Sequence, residues 1–151
     1  NAFTKVYAMA GLRFGYALCT DQMILERMEC CRQPWSVSAP AEAAALAAVR
    51  EAAVNGGWID RTVAAVERER QFLSDGLECM GFTVFPSMVN YILFKSGNCF
   101  DYKEFCRDRG ILIRSCENFD GLDKRYYRVS VRLHEENKAL LECMKAAGGK
   151  G

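Results

Sequence analysis

The amino-acid sequence predicts an α/β or α+β fold, and three observations carry that reading. Segments with helical spacing alternate with short strand-like runs along the chain. After Gly81 the hydrophobic period changes, from steps of three, four or seven to near alternation. The length of 151 residues, half of them hydrophobic and 26% charged, suffices for one buried core, or for a domain with an appendage.

Taken in order, residues 12–19 read as a short apolar strand. Asp21 caps a helix that runs to about Arg32 and is closed by Pro34. Ser38 caps the next, with Pro40 tolerated in its first turn. Its alanine-rich run, residues 41–53, suits close packing against a neighbour, and Gly56-Gly57 ends it. From Trp58 to Met80, the residues Ile59, Val63, Val66, Leu73, Leu77 and Met80 form one stripe of a long amphipathic helix. Arg61, Glu67, Arg68, Glu69 and Arg70 make its solvated face.

Residues 82–85 and 90–95 then read as strands separated by Pro86-Ser87. Asp101 to Glu104 resembles a capping box, and the helix it opens stops at Gly110. Residues 111–114 form a strand, 118–123 a turn region, and 126–132 a strand with alternating apolar positions. Residues 135–147 make the last helix, frayed by Gly148-Gly149.

Composition excludes several function classes. A formal charge of +1 gives no electrostatic case for nucleic acid or an anionic membrane as partner. No run of 18 apolar residues and no signal peptide is visible, so neither a membrane span nor export is expected. Eight cysteines include the adjacent Cys30-Cys31 but no Cys-x-x-Cys pair, and His134 is the single histidine. That spacing suits no metal site, and a reduced, cytoplasmic location is the simpler explanation for the thiols. His134, opening the last helix, is expected to be a first-turn residue without a catalytic role.

The chemistry-bearing stretch is residues 2–16, Ala-Phe-Thr-Lys-Val-Tyr-Ala-Met-Ala-Gly-Leu-Arg-Phe-Gly-Tyr. It places a hydroxyl at Thr4, an amine at Lys5 and a guanidinium at Arg13 around a glycine-containing turn. A lysine attacks an aldehyde when burial or a nearby cation lowers its pKa. From spacing alone, a solvated Lys5 and an Arg13 in a surface ion pair are the favoured reading, since such residues are common at surfaces. Tyr7 and Tyr16, flanking this stretch, are expected to pack in a core or interface.

This stretch resembles the lysine segment of fold-type I pyridoxal-phosphate (PLP) enzymes, in the branch that holds histidinol-phosphate aminotransferases and threonine-phosphate decarboxylases. Lys5 falls on the Schiff-base position, Arg13 on the arginine that binds the cofactor phosphate, and Thr4 on a frequent hydroxyl position. Ala2 departs from the pattern, which places a phosphate-binding serine or threonine there. The same resemblance puts Arg128, in Tyr126-Tyr127-Arg128-Val129-Ser130, on the substrate carboxylate and Arg114, ending Ile111-Leu112-Ile113-Arg114, on the substrate phosphate. It leaves Asn90 as a residue near substrate, or as a turn residue opening a strand.

The resemblance implies the C-terminal portion of the PLP-dependent transferase fold. Residues 1–56 would end the large PLP-binding domain. Residues 57–151 would form a long connecting helix and an α+β small domain, with a small mixed sheet covered by helices. Arg132 and the segment around it are more similar to the decarboxylases than to the aminotransferases. The implied activity is decarboxylation of L-threonine O-3-phosphate to aminopropanol phosphate in cobalamin biosynthesis, by a homodimer with PLP as cofactor, no metal, and a small phosphorylated amino acid as substrate. A histidinol-phosphate type aminotransferase is the alternative; a non-catalytic sensor or interaction domain is the alternative of another class. Because the chain starts at Asn1 inside the family pattern, it is expected to be a fragment. Alone it would be inactive, bind PLP weakly and tend to self-associate through uncovered apolar faces.

Overall fold

The computed structural model describes residues 2–54 and 57–148. Asn1, Gly56 and Gly149, where the expected chain start, helix end and fraying fall, lie outside the described residues. The chain divides into two compact units, Asn1–Arg61 and Thr62–Gly151.

In the first unit, α1 (Phe3–Val6) and a 3-10 turn (Ala10–Leu12) hold the lysine segment. The strand expected over residues 12–19 does not form; one isolated bridge, Ala2 to Gly15, is what the segment makes. A strand needs a neighbour to satisfy its backbone groups, and this unit supplies no second ladder among the described residues. Helix α2 (Gln22–Cys31) starts where Asp21 predicts, its carboxylate accepting from the N–H groups of Met23 at 2.9 Å and Ile24 at 3.3 Å. Helix α3 (Ala39–Val54) is capped by Ser38, whose Oγ accepts from the Ala41 N–H at 3.3 Å. α2 buries no residue and α3 only Ala41 and Ala45, so both leave apolar side chains such as Met23, Leu46 and Val49 exposed.

Helix α4 (Trp58–Cys79) is the long helix predicted, and within the second unit it buries Leu73 and Leu77. Of its expected stripe Val63 is exposed, while Ile59, Val66 and Met80 are partly buried. Gly76 lets α6 (His134–Ala146) come close, since a Cβ there would meet Leu141 Cδ1 at 2.5 Å. Strands β1 (Thr83–Val84), β2 (Tyr91–Lys95), β3 (Arg114–Ser115) and β4 (Tyr126–Ser130) form one sheet in the order β1-β2-β4-β3. Every pairing is antiparallel, where a mixed sheet was expected. β3 begins at Arg114, three residues later than the strand predicted over 111–114.

Period-two alternation decides which side of this sheet is buried. Ile92 and Phe94 of β2 stand opposite Val129 and Tyr127 of β4, and all four enter one core with Leu73, Leu77, Leu140 and Met144. Helix α5 (Tyr102–Arg107), capped by Asp101 accepting from the Glu104 N–H at 3.0 Å, adds Tyr102 and Cys106. Burying each large apolar side chain contributes about 1.5–3 kcal/mol, so this single cluster is the main stabilising element of the unit. Arg128 lies between Tyr127 and Val129 and therefore projects from the other face.

Candidate functional site

Two groups of chemistry-bearing residues emerge, one in each unit. In the first, the short α1 carries Thr4, half-buried, and Lys5, exposed. Phe3 anchors the helix: it is 5% exposed, stacks on Tyr7 at 4.6 Å and meets Phe14 and Tyr16 edge-on at 4.9 and 6.0 Å. Of the two tyrosines expected in a core or interface, Tyr7 is half-buried against Phe3, while Tyr16 touches the same ring but stays exposed. The Phe3 N–H donates to the Phe14 carbonyl at 3.1 Å, which returns the chain beyond Arg13 to the side of α1. Arg13 itself takes a left-handed backbone (φ 53°), rare for a residue with a side chain, and its Nη1 donates to the Ala10 carbonyl at 3.2 Å. Among the described residues no carboxylate pairs with the exposed Arg13 side chain. The described residues do not bury the Lys5 amine.

The larger cavity of this unit, about 990 Å³, is apolar and lined by Phe3, Tyr7, Phe14, Leu46 and Val49 among others. Size alone does not make it the reactive site, because Glu42 is its single charged lining residue and nothing there would hold an anion.

In the second unit the sheet register sets Arg114 directly opposite Arg128. Facing residues of an antiparallel pair project from the same side, so the two guanidinium groups share a face. Like charges so placed are destabilising unless something holds them. Here two rings do: Arg128 lies over Tyr91 at 4.7 Å and Arg114 over Phe119 at 5.3 Å. Among the described residues neither arginine forms an ion pair with a carboxylate. Both line a cavity of about 540 Å³ with Arg132, Glu136 and Asn137. Cys116, beneath them, has its thiol pushed up by burial, against the opposing pull of the Arg128 and Arg114 charges. Asn90 is exposed and does not line this cavity; its carbonyl accepts from the Val131 N–H at 2.9 Å, prolonging the sheet past β4.

Sequence reasoning missed the network behind this cavity. Asn137 is 1% exposed; its Oδ1 accepts from the Arg132 N–H at 3.0 Å and its Nδ2 donates to the Arg132 carbonyl at 2.8 Å. The same Nδ2 donates to Glu69 Oε2 at 2.9 Å. Glu69 also meets His134 Nδ1 at 3.1 Å, and Phe72 packs on the histidine ring at 4.6 Å. The Asn137 bond, then His134, hold the Glu69 carboxyl below its ordinary value. Glu69 and Arg70 were expected on a solvated face. Instead Glu69 joins α4 to α6, and the mostly buried Arg70 donates to the Val89 carbonyl at 3.3 Å. Only the Arg132–Glu136 pair, four residues apart, left a trace in the sequence.

Comparison with known proteins places the chain. The family model for aminotransferase class I and II matches residues 1–143. The chain belongs to this family. Its relatives include the threonine-phosphate decarboxylase of Salmonella typhimurium, 35% identical over 96% of this chain and 39% of that protein. A histidinol-phosphate aminotransferase of Symbiobacterium thermophilum is 33% identical over 100% of this chain and 40% of its own length. The solved histidinol-phosphate aminotransferase of Clostridium acetobutylicum superposes with a TM-score of 0.84 at 28% identity, covering 96% of this chain and 43% of that one. The chain thus spans about two fifths of the length of the curated relatives it matches.

The cofactor of these class I and II aminotransferases is PLP. The donor set of the first unit fits it in kind: an exposed primary amine at Lys5 for an aldehyde, and the Thr4 hydroxyl with the Arg13 guanidinium for a phosphate. No helix among the described residues is long and apolar enough to cross a membrane, and no cluster of three or more His, Cys, Asp or Glu among them could hold a metal ion.

Proposed function

We propose that this chain is part of a PLP-dependent enzyme that decarboxylates L-threonine O-3-phosphate to aminopropanol phosphate. The observation that carries the reading is the Arg114–Arg128 pair, two guanidinium groups on one sheet face, without a carboxylate partner among the described residues and opening on one cavity. Two such forks suit a substrate with two anionic groups at once. Threonine phosphate has a carboxylate and a phosphate on one small molecule. Relatives of 35% and 33% identity divide between decarboxylase and aminotransferase, so histidinol-phosphate transamination is the second reading. Histidinol phosphate has only its phosphate for these arginines; a dicarboxylic acid would have to occupy them in the other half-reaction.

Bound PLP supplies an electron sink for the pair left at Cα when one of its bonds breaks. Arg13 and Thr4 would hold the cofactor phosphate, and Lys5 its aldehyde carbon. Once displaced by the substrate amine, Lys5 Nζ would hold and return the proton that Cα needs. Arg128 would grip the carboxylate and Arg114 the phosphate, fixing the substrate from both ends; Asn90, expected near substrate, lies outside the lining of their cavity. Residues 1–56 would belong to the cofactor-binding domain and 57–151 to the small domain, in a cytoplasmic homodimer serving cobalamin synthesis.

The test is turnover by the full-length enzyme, with threonine phosphate and separately with histidinol phosphate plus 2-oxoglutarate. Carbon dioxide and aminopropanol phosphate from the first are expected. Arg128→Ala should lower kcat/KM about 100-fold or more, as for a lost charge-assisted fork. Glutamate from the second alone would establish the transaminase.

A further inference from the structure

Arg132 shares the cavity with Arg114 and Arg128, and Glu136 is the single carboxylate in its lining. Its main chain is fixed on both sides, because Asn137 takes its N–H and its carbonyl from a buried position. Its side chain is not. Nε and Nη2 converge on one oxygen of Glu136, at 2.9 and 2.7 Å. The other Glu136 oxygen accepts from the Leu133 N–H at 3.3 Å. A guanidinium fork is satisfied best by two parallel acceptors, so this pairing leaves its bidentate geometry unused. Arg132 and Glu136 side chains are 63% and 46% exposed, and ion pairs so exposed contribute little. Exchanging Glu136 for a better acceptor therefore costs little, on an arginine already held in place.

Resting on the reading that this cavity takes the substrate, we propose that Arg132 is a third anion-binding arginine and that Glu136 is its resident competitor, displaced by the phosphate of the substrate. Charge supports the assignment. A phosphate adds about −1.5 to −2 and a carboxylate one more, close to the three positive charges of Arg114, Arg128 and Arg132 once Glu136 has let go. Before that, Glu136 lowers the positive potential of the cavity and weakens adventitious anions. Arg132 and Glu136 thus set preference for a doubly charged phosphate over a single carboxylate.

Titration of the full-length enzyme, freed of PLP so that substrate is not consumed, with L-threonine O-3-phosphate and with inorganic phosphate, followed by calorimetry, tests this. Glu136→Gln should tighten both about three- to tenfold and Arg132→Gln should weaken both about tenfold, the range of one charge-assisted contact. The double variant should lose the Glu136→Gln gain. If Arg132→Gln and Glu136→Gln bind like the parent while Arg128→Gln and Arg114→Gln weaken binding, Arg132 is a surface residue and the inference fails, with the substrate reading intact. If none of the four substitutions changes binding, or no variant binds either probe, both fail. An unchanged far-ultraviolet circular dichroism spectrum of each variant excludes misfolding as the cause.

Discussion

Asn137 does more than a buried asparagine in a helix's first turn usually does. It stands in for a strand partner to Arg132 after β4 has ended, and it ties Glu69 of α4 to the same point. Asn137→Ala would strip partners from the Arg132 N–H and carbonyl and from Glu69. Glu69 keeps His134 as a partner, so the cost falls on the two Arg132 backbone groups, at about 1 kcal/mol or more each, and a loss of about 2 kcal/mol is expected in urea unfolding. The same bond makes the contribution pH-dependent. Glu69 is held below its ordinary 4.5, first by Asn137 and then by His134. A carboxyl with a lowered folded value stabilises above its unfolded value, and loses that stabilisation as pH falls through the folded one. Unfolding midpoints should therefore drop more steeply in the parent than in Asn137→Ala below about pH 4.5; parallel profiles would show that Asn137 does not set the Glu69 equilibrium.

At the scale of elements, the sequence was legible where the physics is local. Asp21, Ser38 and Asp101 cap helices because each meets N–H groups two or three residues on. The strand expected over 126–132 forms over Tyr126–Ser130, and its alternation is read correctly there because Tyr127 and Val129 face one core. Residues 12–19 are misread because a strand is completed by its neighbours, and one bridge is all this segment finds. The Glu69–Asn137 bond joins residues 68 apart, and charge on an amphipathic helix looks solvated whether or not it is. The Arg114–Arg128 pairing was present as two strand-end arginines, but only the register makes them neighbours. Helix α4 carries the sharpest test of this level. Leu73→Ala and Leu77→Ala, both at fully buried positions, should each cost about 2–5 kcal/mol. Val63→Ala, from the same predicted stripe but exposed, should cost under about 0.5 kcal/mol. Equal losses at all three would mean that the whole stripe is packed.

The whole molecule presents two compact units: one with an amine, a hydroxyl and a guanidinium on a short aromatic-anchored segment, the other with three arginines around a cavity. The chain belongs to a PLP-dependent family; on the proposed function the first set would hold that cofactor, and the two facing forks of the second would take a doubly anionic substrate. What joins them is the claim that Lys5 is the lysine that carries PLP. Lys5 is exposed in this chain, which spans about two fifths of its relatives' length, so the claim is tested in the full-length enzyme. The enzyme is loaded with PLP, reduced with borohydride, digested, and its labelled peptide sequenced by mass spectrometry. The account predicts the label on Lys5, and none at any lysine in Lys5→Ala. A label on another lysine, or one that survives in Lys5→Ala, would contradict it.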